Sequence, residues 1–99
     1  MSETDQNIRE LELRRRRLKF RAWHRGTREM DFVLGRFADA ALADLDEPAI
    51  AELEALMEVP DPDLFAWVTG RAAVPANYDM PVFRRLCEFH RHGRGVSAE

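Results

Sequence analysis

The chain has 99 residues, 45% hydrophobic and 33% charged, enough for one small domain with a core and too apolar for wholesale disorder. Its formal charge of -3 and pI near 5.6 set it apart from net-basic nucleic-acid binders. The lone Cys87 excludes an intrachain disulfide, and no apolar run approaches the ~18–20 residues that a bilayer span needs.

Residues 1–7 are polar and are expected to fray. From about Ile8 to His24 the pattern is helical: Leu11, Leu18 and Ala22 fall on one stripe, with Leu13 and Phe20 beside it. Leu11, Leu18, Phe20 and Trp23 read as core. Gly26 reads as the end of this helix, because glycine adopts left-handed backbone without a Cβ penalty. A second helix is expected from about Thr27 to Leu45. Its Met30, Val33, Leu34, Phe37, Ala38, Ala41 and Leu45 recur at steps of three and four, the cleanest amphipathic pattern in the chain. Asp46-Glu47-Pro48 starts a third helix carrying Ile50, Leu53 and Met57, which stops at Val59-Pro60. Asp61-Pro62-Asp63 starts a short fourth, with Asp61 as N-cap, through Leu64, Phe65, Trp67 and Val68 to Gly70. Residues 71–78 read as a loop. Met80-Pro81 opens a fifth helix with Val82, Phe83, Leu86, Phe89 and His90 facing inward, closed by Gly93 and Gly95. The expected architecture is an all-α, compact five-helix bundle: a single helical domain over 8–93 between a flexible N-terminus (1–7) and a flexible tail (94–99), with a radius of gyration near ~13 Å.

Charge is distributed unevenly. Residues 9–28 hold Arg9, Arg14, Arg15, Arg16, Arg17, Lys19, Arg21, Arg25 and Arg28 against only Glu10 and Glu12; residues 29–63 are acidic apart from Arg36. Glu3, Asp5, Glu10 and Glu12 do not fit an acid-poor transit peptide, so the expected setting is the cytoplasm of a bacterium. Four consecutive arginines sweep around most of a helix at ~100° per residue, so Arg14–Arg17 cannot form one phosphate-tracking stripe. Pairing with the following acids is the better reading. A small helical nucleic-acid or ribosome-associated module that uses this segment is the alternative.

Catalytic and metal signatures are weak. Cys87 and His90 share a helix face, but a cysteine at such a position is usually core. In Cys87-x-x-His90-x-His92 the third residue points away from the other two and no fourth ligand is evident, so no metal is expected. No phosphate-cradling glycine loop occurs. Protein recognition remains, and the joint at Arg25–Asp31 is its best location: Arg25 and Arg28 offer forked donors, Glu29 and Asp31 offer acceptors, and a helix corner holds them rigidly. Capping is an equally good reading of two of them. Glu29 would fold back on a Gly26 N-cap, and Arg25 would cap the first helix.

At this joint, Arg25-Gly26-x-x-Glu29-x-Asp31 resembles the Arg-Gly-x-x-Glu signature of the FAD assembly factors of succinate dehydrogenase, small five-helix proteins of bacteria and mitochondria. Asp61-Pro62-Asp63-Leu64-Phe65-x-Trp67 agrees at the family's expected distance downstream, and the likeness covers roughly residues 9–93. The resemblance implies an assembly factor rather than an enzyme. Its partner would be the flavoprotein subunit of succinate dehydrogenase, and in some cases fumarate reductase. It would promote covalent attachment of FAD to a histidine of that client, with no cofactor held tightly by the factor itself. The motif carries over to Arg25, Gly26 and Glu29, with Arg28 and Asp31 beside them as partner-binding residues.

Overall fold

The computed structural model describes residues 3–92. Five helices run in order: α1 (Glu3–Ala22), α2 (Arg28–Ala41), α3 (Glu47–Met57), α4 (Asp61–Val68) and α5 (Pro81–Arg91). A 3-10 turn at Leu42–Asp44 joins α2 to α3, and another at Ala76–Tyr78 precedes α5. Among the described residues there is no strand, and the radius of gyration is 13.9 Å. The expected all-α, five-helix architecture is what the chain forms. The expected tail at 94–99, with Gly93 and Gly95, lies outside the described residues.

α1 and α5 clasp α2 and α3 between them, and α4 packs on α5. The core is continuous: Leu18 and Ala22 from α1 meet Met30, Leu34 and Phe37 from α2, Leu53 and Leu56 from α3, Leu64 from α4 and Leu86 from α5. Each fully buried large side chain contributes about 1.5–3 kcal/mol from area removed from water. The α2 stripe performs as its spacing predicts, with all of Met30, Val33, Leu34, Phe37, Ala38 and Ala41 buried.

Several element ends differ from the sequence reading. α1 begins at Glu3 rather than near Ile8, with Asp5 in its first turn, where negative charge suits the helix dipole. It ends at Ala22, so Gly26 lies beyond the helix end and not directly at it. α2 ends at Ala41 and not Leu45, because the chain tightens into the 3-10 turn. The start of α3 is as expected: Asp46 accepts the Ala49 N–H at 3.1 Å and Pro48 sits in the first turn. α5 starts without a cap of its own, and the Glu52 carboxylate of α3 accepts the Val82 N–H at 3.0 Å in its place.

Phe20 is not core: it is 64% exposed, and Leu13 is 46% exposed. Phe20 lies two positions beyond Leu18, and two steps of ~100° turn it to the opposite side of the helix. Trp23 is half-buried and lies flat on α2 at Gly35, where an added Cβ would collide with its indole ring; its Nε1–H donates to Asp39 at 3.1 Å.

The arginines of α1 staple it to the acidic half. Arg14 donates to both Glu54 oxygens at 3.0 and 2.8 Å and also reaches Glu47 at 3.4 Å. Arg15 donates to the Leu42 and Leu45 carbonyls at 3.3 and 2.8 Å, tying down the chain where α2 has ended. Arg21 pairs with Glu58 at 2.6 Å. The Arg14 guanidinium, through its hydrogen bonds, holds the Glu54 carboxyl below the ordinary glutamate range. A depressed folded-state pKa contributes stability above the ordinary value of about 4.3, and that contribution is lost as pH falls through the folded-state value. Glu54→Gln is therefore expected to lower Tm at pH 7, with the gap to the parent narrowing as pH falls below the ordinary glutamate value and the native carboxyl takes up its proton; thermal melts over a descending pH series check this.

Candidate partner-docking corner

The chain turns between α1 and α2 through Trp23–Thr27. Thr27, in extended conformation, is the N-cap of α2, and its hydroxyl accepts the Met30 N–H at 3.2 Å. This replaces the expected Gly26 cap, since glycine has no side-chain oxygen to offer. Gly26 itself has φ of +105°, a conformation that L side chains rarely adopt. A Cβ placed there would meet nothing within 4 Å, so the glycine serves the turn and its outer face is open.

The five residues singled out in the sequence divide into an inner and an outer set. Arg25 and Asp31 face inward. The Arg25 Nε and Nη2 donate to Asp61 Oδ1 at 2.9 and 2.7 Å, Nη1 donates to the Met57 carbonyl at 2.9 Å, and Nη2 reaches the Val59 carbonyl at 3.3 Å. Arg25 thus caps the end of α3, not the end of α1. Asp61, only 16% exposed against 11% for Arg25, sits at the first position of α4 and makes no cap bond, because its carboxylate is engaged by the guanidinium. The Asp31 carboxylate accepts the Arg25 backbone N–H at 2.6 Å. Glu29 does not fold back on Gly26, since Thr27 as N-cap puts Met30, and not Glu29, at the third helical position; the carboxylate that reaches back is that of Asp31, and it goes to Arg25.

Gly26, Arg28 and Glu29 face outward. All three are exposed, and the side chains of Arg28 and Glu29 have no ion-pair or hydrogen-bond partner among the described residues. Glu29 caps nothing. Beside them lies a shallow groove of about 380 Å³ lined by Arg28, Glu29, Phe32, Val33, Phe65 and His90. Its floor is apolar and its charged groups stand at the rim. Phe32 is 40% exposed, with the Arg36 guanidinium 4.6 Å from its ring centre. Phe65 carries Arg71 at 5.8 Å from its ring. An apolar floor with a carboxylate and a free guanidinium on one lip can take an apolar side chain of a partner and fix its backbone by polar contacts.

Sequence reasoning missed Phe32 as a site residue and had His90 facing inward. The signal for Phe32 was present: a large apolar residue out of phase with the Met30–Val33–Leu34–Phe37 stripe. His90 and Phe65 come to the groove only through the packing of α5 and α4 on α2, which no local pattern shows. Leu64 is buried, whereas Phe65 and Trp67 are half-buried, Trp67 against Tyr78 with ring centres 5.3 Å apart. Among the described residues no group of three or more His, Cys, Asp and Glu is placed to hold a metal. His92 instead hydrogen-bonds Glu88 at 2.8 Å, and burial pushes the Cys87 thiol up, away from the reactive thiolate.

Residues 16–90 match the family described as "Flavinator of succinate dehydrogenase". The chain belongs to this family. It is 42% identical over 85 residues to a protein of Acetobacter pasteurianus named FAD assembly factor SdhE, covering 86% of this chain and 78% of that one. It is 34% identical over 83 residues to the mitochondrial succinate dehydrogenase assembly factor 2 of Dictyostelium discoideum, spanning 84% of this chain and 58% of that protein. No solved structure is a significant match. For a flavinator-family corner, the division into inner and outer residues separates two kinds of mutational effect. Arg25→Ala leaves Asp61, whose side chain is only 16% exposed, without its cation and frees the Met57 and Val59 carbonyls, and is expected to cost about 2 kcal/mol, lowering Tm by roughly 8 °C or more in a chain of this size. Glu29→Gln is expected to stay within roughly 4 °C of the parent. Differential scanning calorimetry of the two variants checks both, and a large loss for Glu29→Gln would show a structural role that the geometry does not contain.

Proposed function

We propose that this protein is an assembly factor that binds the flavoprotein subunit of succinate dehydrogenase and promotes covalent attachment of FAD to it. Membership of the flavinator family supports the reading. The observation that carries it is the exposed Gly26–Arg28–Glu29 edge, bordered by the apolar groove and held by the internal Arg25 and Asp31. In this reading Gly26, Arg28 and Glu29 touch the client, while Arg25 and Asp31 fix the corner that presents them. Fumarate reductase, whose flavoprotein poses the same chemical problem, is a second client. The factor works in the cytoplasm of a bacterium, in line with its bacterial relative.

The mechanism is positional. FAD belongs to the client, and the bond forms between the flavin and a client histidine; the factor is not an enzyme and holds no cofactor tightly. By docking on the apo-flavoprotein, the corner holds its FAD-proximal segments in the geometry that brings the flavin methyl carbon to the histidine. Such pre-orientation lowers the entropic part of the barrier to a reaction that the client already supports. The nucleic-acid alternative loses support from the arginines themselves. Arg14, Arg15, Arg21 and Arg25 are engaged within the chain.

Incubation with apo-flavoprotein subunit and FAD, followed by denaturation, is expected to leave flavin fluorescence on the client polypeptide well above a control lacking the factor. Gly26→Arg, which fills the open outer face of the turn, is expected to abolish both that increase and client binding while keeping most of the helical circular dichroism. No increase with the parent protein would overturn the proposal; normal client binding by Gly26→Arg would reduce the corner to a turn.

A further inference from the structure

The outer side of α1 carries a surface that the fold does not use. Leu18 and Ala22 turn into the core, and Arg14, Arg15 and Arg21 reach sideways to staple α1 to its neighbours. On the remaining side, Leu13, Arg16 and Phe20 follow one another at steps of three and four along α1, and His24, just past its end, continues the stripe by stacking on Phe20. All four are exposed, Phe20 to 64% and Leu13 to 46%. Arg16 has no ion-pair or hydrogen-bond partner among the described residues. Arg17 borders the stripe without an ion pair, although its field reaches Glu54.

The aromatic end of this stripe is pre-organised. The His24 ring stacks on Phe20 with centroids 4.0 Å apart and planes 19° from parallel. Its Nδ1–H donates to the Phe20 carbonyl at 2.6 Å, which holds the ring over the helix end. A fixed aromatic pair in solvent, flanked by a cation without a partner, is an arrangement that helps no part of the core. It has the character of interface anchors: low ordering cost, large contact area and a positive flank.

We propose that this stripe is a second docking surface, which receives an acidic helical segment of the client flavoprotein with an apolar residue seated between Leu13 and Phe20. Charge complementarity sets the chemistry of the occupant, since Arg16, on the stripe itself, lacks an ion-pair partner and calls for a carboxylate. Position sets its identity: the stripe ends at His24, two residues before Gly26 in the chain, beside the corner that the same client is proposed to cover. An anionic lipid surface fits less well, because two apolar side chains give it little to insert.

The inference rests on client binding as proposed above, and its test keeps the two apart. Affinity for the apo-flavoprotein subunit is measured by calorimetry for the parent, Phe20→Ala and Arg16→Glu, at low and moderate salt. Both side chains are outside the core, so circular dichroism and Tm are expected to stay at parental values. Each variant is expected to bind about tenfold more weakly, and Arg16→Glu is expected to flatten the salt dependence. Absence of binding by the parent would sink the functional proposal itself. Parental binding that both variants retain within about twofold would overturn the second surface while the corner stands. Loss of cosedimentation with phosphatidylserine vesicles in the two variants, at unchanged flavoprotein affinity, would overturn it in favour of a membrane.

Discussion

One residue joins four helices. Arg25 leaves the end of α1, its backbone N–H is held by Asp31 in the first turn of α2, and its side chain binds the last carbonyls of α3 and the first carboxylate of α4. The arrangement answers three needs together. The chain end of α3 has carbonyls without helical partners, the start of α4 has a positive dipole that favours a carboxylate, and that carboxylate in turn gains from a cation where it is largely shielded from water. Arginine is suited to this position because its planar fork meets several acceptors at once without losing its charge. With the side chain turned inward, the backbone of the next residues is forced outward, and Gly26 can follow because it alone tolerates φ of +105°.

The consequence is a corner with two faces. Its inside is engaged, and its outside shows the open face of Gly26 and the side chains of Arg28 and Glu29, which have no partner among the described residues. Motif residues that looked alike in the sequence thus act differently: Arg25 and Asp31 build the platform, and Gly26, Arg28 and Glu29 stand on it. The same division runs along α1, where arginines facing the acidic half act as staples and those facing away stay available. The lopsided charge of the chain is mostly internal complementarity.

Much of the fold was legible because it is local. The α2 stripe, the Asp46 cap with Pro48, the restart after Pro60 and the stop at Gly70 follow from spacing and turn chemistry, and each stands in the structure. What periodicity could not show is which oxygen or cation answers which helix end across the chain. Hence Asp61 looked like an N-cap and is an ion-pair partner, and Glu29 looked like a capping box while it is Asp31 that reaches back, to the Arg25 N–H and not to Gly26. Phe20 looked like core because it stood near the apolar stripe, yet its phase around the helix puts it in water. The groove was illegible for the same reason, since Phe32, Phe65 and His90 belong to three helices and meet only through tertiary packing.

The claim that the outer face of the corner is where the client docks is tested most directly by amide hydrogen exchange of this protein, free and bound to the apo-flavoprotein subunit. The N–H groups of Arg28 and Glu29 lie in the first turn of α2, where helical partners are lacking, and should exchange fast in the free chain. The account predicts that complex formation slows exchange most strongly across residues 26–33, with weaker protection around Phe65 and His90 and little change at the Leu42–Asp44 turn. Protection centred on that turn and α3, with residues 26–33 unchanged, would contradict it.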